Sequence, residues 1–507
     1  MRNAHLVADI RPAEGALMAR MPEGALMQRA VAGLASVSAG LLGRVYGSRV
    51  VVLAGSGDNG GDALHAGAVL ARRGAVVTGI AVASRAHEGG AAALRAAGGR
   101  LIEAADPGTG RAVGLADLVI DGILGIGGRG GLREPAASLA AQAGRSRALV
   151  VAADLPSGID ADTGAVDGAA VRADVTVTFG TWKPGLLIDP GASQAGVVEL
   201  IDIGLGPHLG ASGLAAPQAA DVAGWLPSPS AESDKYRRGV LGLAAGSERF
   251  TGAATLAIGG AIHGGAGMVR LVSAAPAVDV ARQHWPETVI TVVAPGPSAG
   301  RAVQTSGQVQ AWAAGPGMGT DETAVSLLTA VLASSVPVLV DADGLTVLAA
   351  HRGLLPRAAP TLITPHAGEL ARLLGADRAD IEARRLEFAR RAAAELGITV
   401  LLKGSTTVIA GPSDDDQALV NPTGTAWLAT AGSGDVLSGL AGALLAQGLR
   451  PAAAAAAAAY LHGIAGRLAA TGAAGDGAAG DGRAGAPIGA SDLIRALPAA
   501  VRTVSAG

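Results

Sequence analysis

Along this chain, short and wholly apolar runs alternate with longer stretches whose apolar residues recur every three or four positions. Arg49–Ala54 (RVVVLA), Val76–Val82, Leu118–Ile120 and Ala148–Ala153 are runs of the first kind, each separated from the next by an alanine-rich helical stretch. A strand with no polar alternation is buried on both faces, so the pattern predicts a parallel sheet covered by helices above and below. Leu17, Met18, Met21, Leu26, Met27, Val31 and Leu34 fall at helical spacing and predict one or two helices ahead of the first strand. Val175–Phe179 and Val197–Ile203 are β-branched and are expected to close this sheet.

The pattern lapses over residues 211–231, which are punctuated by Pro217, Pro227 and Pro229 and show no sustained period. A domain junction is expected there, near residue 220, with one domain over 1–215 and a second over 225–507. The second half restarts the same grammar with strands expected at Val240–Ala245, Val269–Ser273, Ala311–Ala314, Val336–Val340, Thr361–Ile363 and Thr399–Leu402. Two long helices are expected to close the chain, one from about Gly434 and one through Ala452–Ala459. Thr471–Pro487 is low-complexity and reads as a surface loop. The fold class is therefore α/β in two domains, the first a Rossmann-like three-layer sandwich.

Composition narrows the function classes. At 507 residues the chain has room for more than one core, and half of it is apolar. It offers no run of about 18 uninterrupted apolar residues, the most tempting segment being Gly439–Leu449. It contains no cysteine, which excludes disulfides, thiolate metal sites and cysteine nucleophiles. The N-terminus shows no basic stretch followed by an apolar core, and the expectation is a cytoplasmic protein. A net charge of −3 with three Phe and three Tyr gives no footprint for nucleic acid, and no membrane partner is expected.

Candidate chemistry in the first half collects just past strand ends, where open α/β sheets place their ligands. The first strand runs into Gly55-Ser56-Gly57-Asp58-Asn59-Gly60-Gly61-Asp62 and then a helix. Such a turn offers free backbone N–H groups and a positive helix end to an anion. No acidic residue ends the second strand to hold a ribose, and Asp58 and Asp62 oppose a diphosphate laid on the turn, so a redox dinucleotide site is disfavoured; a purely structural tight turn stays open. Asp121, with the glycine loop Gly125-Ile126-Gly127-Gly128-Arg129-Gly130-Gly131, and Asp154-Leu155-Pro156-Ser157 follow the next strands. Asn59, Asp121 and Ser157 offer oxygens to a hard cation, and Asp154 is the acid/base candidate.

At GDNGGD (57–62), the glycine loop, DLPSGIDADTG (154–164) and TFGTWKPGLL (178–187), the chain resembles the YjeF N-terminal family, over about residues 15–205. That family epimerises the R and S forms of hydrated NADH and NADPH. The resemblance implies substrate contacts at Asp58, Asn59, Gly60, Gly61 and Asp62, at Gly125, Ile126, Gly127, Gly128, Arg129, Gly130 and Gly131, and at Asp154. It implies potassium on Asn59, Asp121 and Ser157, and Lys183 lining the pocket. Asp58 stands where the family usually has Asn, adding a negative charge beside the substrate loop.

In the second half, Gly315-Pro316-Gly317-Met318-Gly319, Asp341-Ala342-Asp343, Thr364-Pro365-His366-Ala367-Gly368-Glu369, Lys403-Gly404-Ser405-Thr406-Thr407 and Gly432-Ser433-Gly434-Asp435 follow successive elements. Backbone amides of Gly432–Asp435 at a helix start would form an anion hole for a transferring phosphoryl group. Asp435 would sit within reach of a hydroxyl as its base. Plainer readings stay open beside these: Asp435 as a helix cap, His366 as a core histidine, Lys403 as an ion-pair partner only. Asp341 and Asp343 alternate on an expected strand and would face the same side, serving a metal or capping the next helix.

These segments, together with KYRRGVLGLAAGSERFTGAATLA (235–257) and GAGMVRL (265–271), resemble the ribokinase-like fold and the ADP-dependent NAD(P)H-hydrate dehydratase family over about residues 235–468. The resemblance implies hydrate binding near Ala254, Gly317, His366 and Asp435, and ADP or AMP against Lys403, Gly404, Ser405, Thr406, Thr407 and Gly434. Magnesium and ADP as co-substrate follow, with Asp435 the catalytic base. The expected function is bifunctional repair of hydrated NADH and NADPH by a homo-oligomer. The rival reading is a ribokinase-like small-molecule kinase whose N-terminal domain only binds.

Overall fold

The computed structural model describes residues 1–413, 416–472 and 485–506. Most of the low-complexity stretch expected to form a surface loop lies outside the described residues. The chain divides into two units, one of Asn3–Leu214 and one of Ala215–Gly507 joined by Met1–Arg2. The segment expected to be irregular holds a short strand, Leu214–Ala216, and a helix, Ala219–Trp225. Gln218 and Asp221 cap that helix reciprocally, which lets seven residues hold a helix that periodicity alone did not reveal.

In the smaller unit helix α1 (Val7–Met18) and helix α2 (Ala25–Leu42) precede strand β1 (Arg49–Ala54), and helix α3 (Asp58–Arg72) follows it. The sheet continues with β2 (Val76–Ala81), β3 (Arg100–Glu103), β4 (Leu118–Gly122), β5 (Leu149–Ala153), β6 (Val175–Phe179) and β7 (Val197–Ile201). All neighbours pair in parallel, in the order β3-β2-β1-β4-β5-β6-β7. The chain winds outward from β1 to β3 and then restarts at β4 on the other side of β1. The crevice at that reversal is where a parallel sheet takes its ligand. The turn after β1 and the loop after β4 flank it.

Among the described residues α2 is the one helix long and apolar enough to cross a membrane. Gln28 and Arg29 interrupt it, and Ala30, Val31, Leu34, Ala35 and Ala39 are buried in the core of the unit. It is the inner face of a layered domain that its apolar side serves.

In the larger unit the strands are β8 (Val240–Ala244), β9 (Met268–Ser273), β10 (Val289–Val292), β11 (Ala311–Ala314), β12 (Val338–Val340), β13 (Thr361–Ile363), β14 (Thr399–Leu402), β15 (Val408–Ala410) and β16 (Ala418–Val420). They lie in the order β16-β15-β14-β13-β12-β11-β8-β9-β10, parallel except for the antiparallel β14-β15-β16 edge. Strands β3 and β10 escaped the sequence pattern because they are half-exposed edge strands, and no strand was expected at β15 or β16. The sheet reverses between β8 and β11, and the amide of Gly246 donates to the Pro316 carbonyl across that seam at 2.8 Å.

Helices α4 (Thr251–His263), α5 (Ala367–Leu374), α6 (Arg385–Leu396), α7 (Ser433–Ala446), α8 (Pro451–Thr471) and α9 (Ala490–Ser505) bear on the site. Three long helices close the chain where two were expected, the third lying beyond the low-complexity stretch. Helix α7 approaches α4 so closely that a Cβ on Gly439 would lie 1.9 Å from the Ala257 carbonyl oxygen. Glycine at the crossing thus fixes α7, whose first turn is the heart of the second site.

Candidate active sites

In the smaller unit, Asp121 ends β4 and is fully buried. The Ser157 hydroxyl donates to one carboxylate oxygen at 2.7 Å, the Ser157 amide to the other at 2.8 Å, and the Ile123 amide to the first at 3.2 Å. Burial outweighs these bonds and pushes Asp121 up to about 6. Asn59 reaches the same loop, its Nδ2 donating to the Leu124 carbonyl at 2.8 Å, while the Leu124 amide donates to Ser157 Oγ at 2.9 Å. One carboxylate, a hydroxyl, an amide side chain and a backbone carbonyl are thereby gathered, a set of hard oxygens that fits a weakly charged cation such as potassium. Among the described residues no group of three or more His, Cys, Asp or Glu could hold a metal ion.

Asp154 takes a left-handed conformation (φ 65°), a strained state for a non-glycine residue. Its Oδ1 receives the Lys183 ammonium at 2.5 Å, the Thr178 hydroxyl at 3.2 Å and the Phe179 amide at 3.3 Å. Lys183 is 2% exposed and also donates to Thr178 Oγ1 and the Phe179 carbonyl, both at 2.9 Å. Asp62 differs: its Oδ1 is buried with no partner, and burial, then Asp154, Asp58 and Glu14, push it up to about 8. The glycine loop forms one wall of a cleft of about 100 Å³ that Arg11, Ile126, Gly127, Gly128, Arg129 and Asp160 line.

Glu14 was not legible in the sequence. It sits on α1, and burial followed by the nearby Asp154 carboxylate raises its pKa. Its helix carried a periodic apolar signal that said nothing of which polar residue would turn inward.

In the larger unit, Asp341 follows β12, Ala342 turns the chain with φ 49°, and Asp343 opens the next helix. The two carboxylates therefore do not share a strand face as expected. Asp341 is buried and receives Lys403 Nζ at 2.7 Å and Ser438 Oγ at 2.5 Å, whereas Asp343 receives the Gly319 amide at 2.9 Å. The chain can pass so tightly only because Gly315 (φ 126°) lacks a Cβ, which would lie 1.8 Å from the Asp341 carbonyl oxygen.

Asp435 stands in the first turn of α7, whose cap is Gly432 (φ 84°) with no side-chain hydrogen bond, so Asp435 does not cap its helix. Burial and then the Asp341 carboxylate push it up to about 7, against the pull of Lys403. Lys403 itself is raised, the Asp341, Glu369 and Asp435 carboxylates outweighing its burial. A Cβ on Gly434 would lie 3.5 Å from Lys403 Nζ, so ammonium, helix start and base are adjacent.

His366 caps α5: its Nδ1 accepts from the Gly368 and Glu369 amides at 3.0 and 3.2 Å, and Glu369 accepts from the His366 amide at 2.8 Å. Its ring is half exposed, with burial and Lys403 lowering its pKa. Ala254 is fully enclosed on α4, and Gly317 packs against Phe250 and Ala253. Of the loop after β14, Gly404 and Ser405 are exposed, Thr407 is half-buried and Thr406 is buried. Arg385, at the start of α6, donates to the Lys403 carbonyl at 3.4 Å and lies against Gly404. Arg385 and His462 escaped the sequence reading because each arrives from a helix with no motif of its own, and Ser438 because it lies one turn past the motif that opens α7.

Fold and sites together define a two-unit α/β enzyme in which each unit sets a lysine–aspartate pair near a glycine-rich helix start. Residues 241–478 match the family described as NAD(P)H-hydrate dehydratase, and residues 23–185 match the YjeF-related protein N-terminus. The chain is 47% identical over 476 residues to the bifunctional NAD(P)H-hydrate repair enzyme of Mycobacterium leprae, spanning 93% of this chain and 94% of that one. It is 38% identical over 454 residues to that of Moorella thermoacetica, spanning 84% of each. The ADP/ATP-dependent NAD(P)H-hydrate dehydratase of Bacillus subtilis, crystallised with ATP and Mg2+, aligns with a TM-score of 0.49 and 30% identity over 57% of this chain and 97% of that one. This chain belongs to the family of bifunctional NAD(P)H-hydrate repair enzymes.

Proposed function

We propose that the larger unit dehydrates the S form of hydrated NADH and NADPH at the expense of ADP, giving AMP and phosphate, and that the smaller unit interconverts the R and S forms. The observation that carries this reading is Asp435 at a glycine-capped helix start beside Lys403. The base takes the proton of the substrate hydroxyl, whose oxygen attacks the terminal phosphorus of ADP. The P–O bond to AMP breaks, and the amides of the α7 start with the Lys403 ammonium oppose the developing charge. Phosphate is a far better leaving group than hydroxide; its departure with loss of a ring proton restores the nicotinamide double bond. Gly404–Thr407 and Gly434 hold the nucleotide, and Gly317 and His366 border the hydrate. Magnesium would neutralise part of the charge on the nucleotide phosphates.

In the smaller unit, Asn59, Asp121 and Ser157 would hold potassium, which screens the carboxylates beside the substrate. Asp58–Asp62, Gly125–Gly131 and Asp154 form the substrate surface. With pure R hydrate, ADP and magnesium, the purified protein is expected to regain the absorbance of reduced nicotinamide, and Asp154→Ala to slow that regain while leaving the S hydrate unaffected. Equal rates on R hydrate in both proteins would mean that the smaller unit only binds.

The raised pKa of Asp435 sets a pH dependence. A base must be unprotonated, so dehydratase kcat/KM is expected to fall about tenfold per pH unit below about 7 and to level off above it. For stability the sign is opposite. A carboxylate more basic folded than unfolded weighs against folding once pH exceeds its unfolded value, so Asp435→Asn should raise the melting temperature at pH 8 and leave it unchanged near pH 3. A flat kcat/KM profile between pH 5 and 8 would contradict the assignment of the base.

A further inference from the structure

Two peptide planes build the anion hole, and the first is held from behind by a side chain of another helix. The plane joining Ser433 to Gly434 carries the Gly434 amide on one side and the Ser433 carbonyl on the other. The plane joining Gly434 to Asp435 likewise carries the Asp435 amide and the Gly434 carbonyl. In a trans peptide the two groups point in opposite directions, so pinning the carbonyl aims the amide. His462, on α8 and buried, places Nε2 3.0 Å from the Ser433 carbonyl oxygen. A carbonyl can only accept, so this nitrogen carries the proton and donates. Ser438 Oγ lies 3.0 Å from the Gly434 carbonyl and 2.5 Å from Asp341 Oδ2. The Ser433 hydroxyl closes the turn, donating to the Leu428 carbonyl at 2.8 Å.

The turn requires such support. Gly432 and Gly434 lose more conformational freedom on ordering than other residues do, and a first helical turn has no preceding turn to lock it. Intrahelical bonds alone leave it the most easily frayed part of α7. Its amides have to be aimed before phosphate arrives, since a preorganised dipole costs no reorganisation during the reaction.

We propose that His462 is a positioning residue for phosphoryl transfer: its Nε2–H, one helix away, locks the Ser433–Gly434 peptide so that the Gly434 amide faces the transferring group. Burial, with Lys403 nearby, holds the imidazole down to about 4, so it stays neutral and keeps the required tautomer through the working range. It takes no proton from substrate and touches none.

The inference rests on the proposed dehydratase reading, and the experiment separates the two. On pure S hydrate with ADP and magnesium, the full-length protein carrying His462→Ala is expected to lose roughly 10- to 100-fold in kcat with KM for hydrate little changed. His462→Gln, which can present an amide N–H to the same carbonyl, should recover much of that loss. The pH at which kcat/KM levels off should remain that of Asp435 in both. The cooperative thermal unfolding of the larger unit, measured on the same polypeptides, reports whether that unit folds. Wild-type kcat in His462→Ala overturns the proposal, as does an equal loss in His462→Gln with both variants folded. A wild-type protein that forms no reduced nicotinamide from S hydrate sinks the dehydratase reading instead. Should His462→Ala fail to unfold cooperatively, its rate is replaced by that of His462→Phe, which fills the place of the ring and offers no donor; wild-type kcat there overturns the proposal equally.

Discussion

Asp435→Asn is expected to abolish nearly all dehydratase turnover, lowering kcat by roughly 10²- to 10⁴-fold, the range that a positioned general base supplies. The substitution keeps the shape of the side chain and removes only its capacity to take a proton. Because Asp435 caps nothing, no helix-start hydrogen bond is lost with it. Its neighbours keep their places: Lys403 stays bound to Asp341, and Ser438 stays between Asp341 and the Gly434 carbonyl. The epimerase rate of the same protein should match wild type. A steady-state assay on S hydrate with saturating ADP measures the effect; a loss under tenfold would return Asp435 to an electrostatic or structural part.

Lys183→Ala is expected to produce the largest stability loss, about 3–5 kcal/mol, with epimerase activity gone. Removing the ammonium leaves the Asp154 carboxylate buried and stripped of its strongest partner, next to Asp62, and also takes a donor from Thr178 and Phe179. Domain stabilities usually lie between about 5 and 15 kcal/mol, so a loss of this size takes a large fraction of what holds the smaller unit. Urea unfolding followed beside dehydratase activity separates the units. The double variant Lys183→Met with Asp154→Asn should recover much of the stability and none of the epimerisation, since the penalty comes from an uncompensated charge and Asn tolerates the left-handed backbone at that position. An unchanged unfolding midpoint in Lys183→Ala would show that water reaches Asp154 freely.

The layered α/β plan was legible because fully buried parallel strands leave uniform apolar runs, and Arg49–Ala54, Val175–Phe179 and Ala311–Ala314 are such runs. Glycine-rich turns past those strands marked where backbone would meet ligand, and the structure brings Asp121 to Ser157 and Lys403 to Asp341. Local backbone geometry set roles that spacing could only suggest. His366 proved to be the cap of its helix, and Asp341 and Asp343 were parted by the positive φ of Ala342. Glu14 and His462 stayed hidden for another reason. Each lies on a helix whose pattern reports its apolar face, and which polar residue reaches a site elsewhere is decided by packing between elements distant in sequence.

The central claim is that the second site removes water by way of a phosphate ester, and product stoichiometry tests it most directly. In a reaction of pure S hydrate with limiting ADP and magnesium, AMP, orthophosphate and reduced nicotinamide should appear in equal amounts. Reduced nicotinamide without AMP, or AMP with a phosphorylated product that persists, would contradict it.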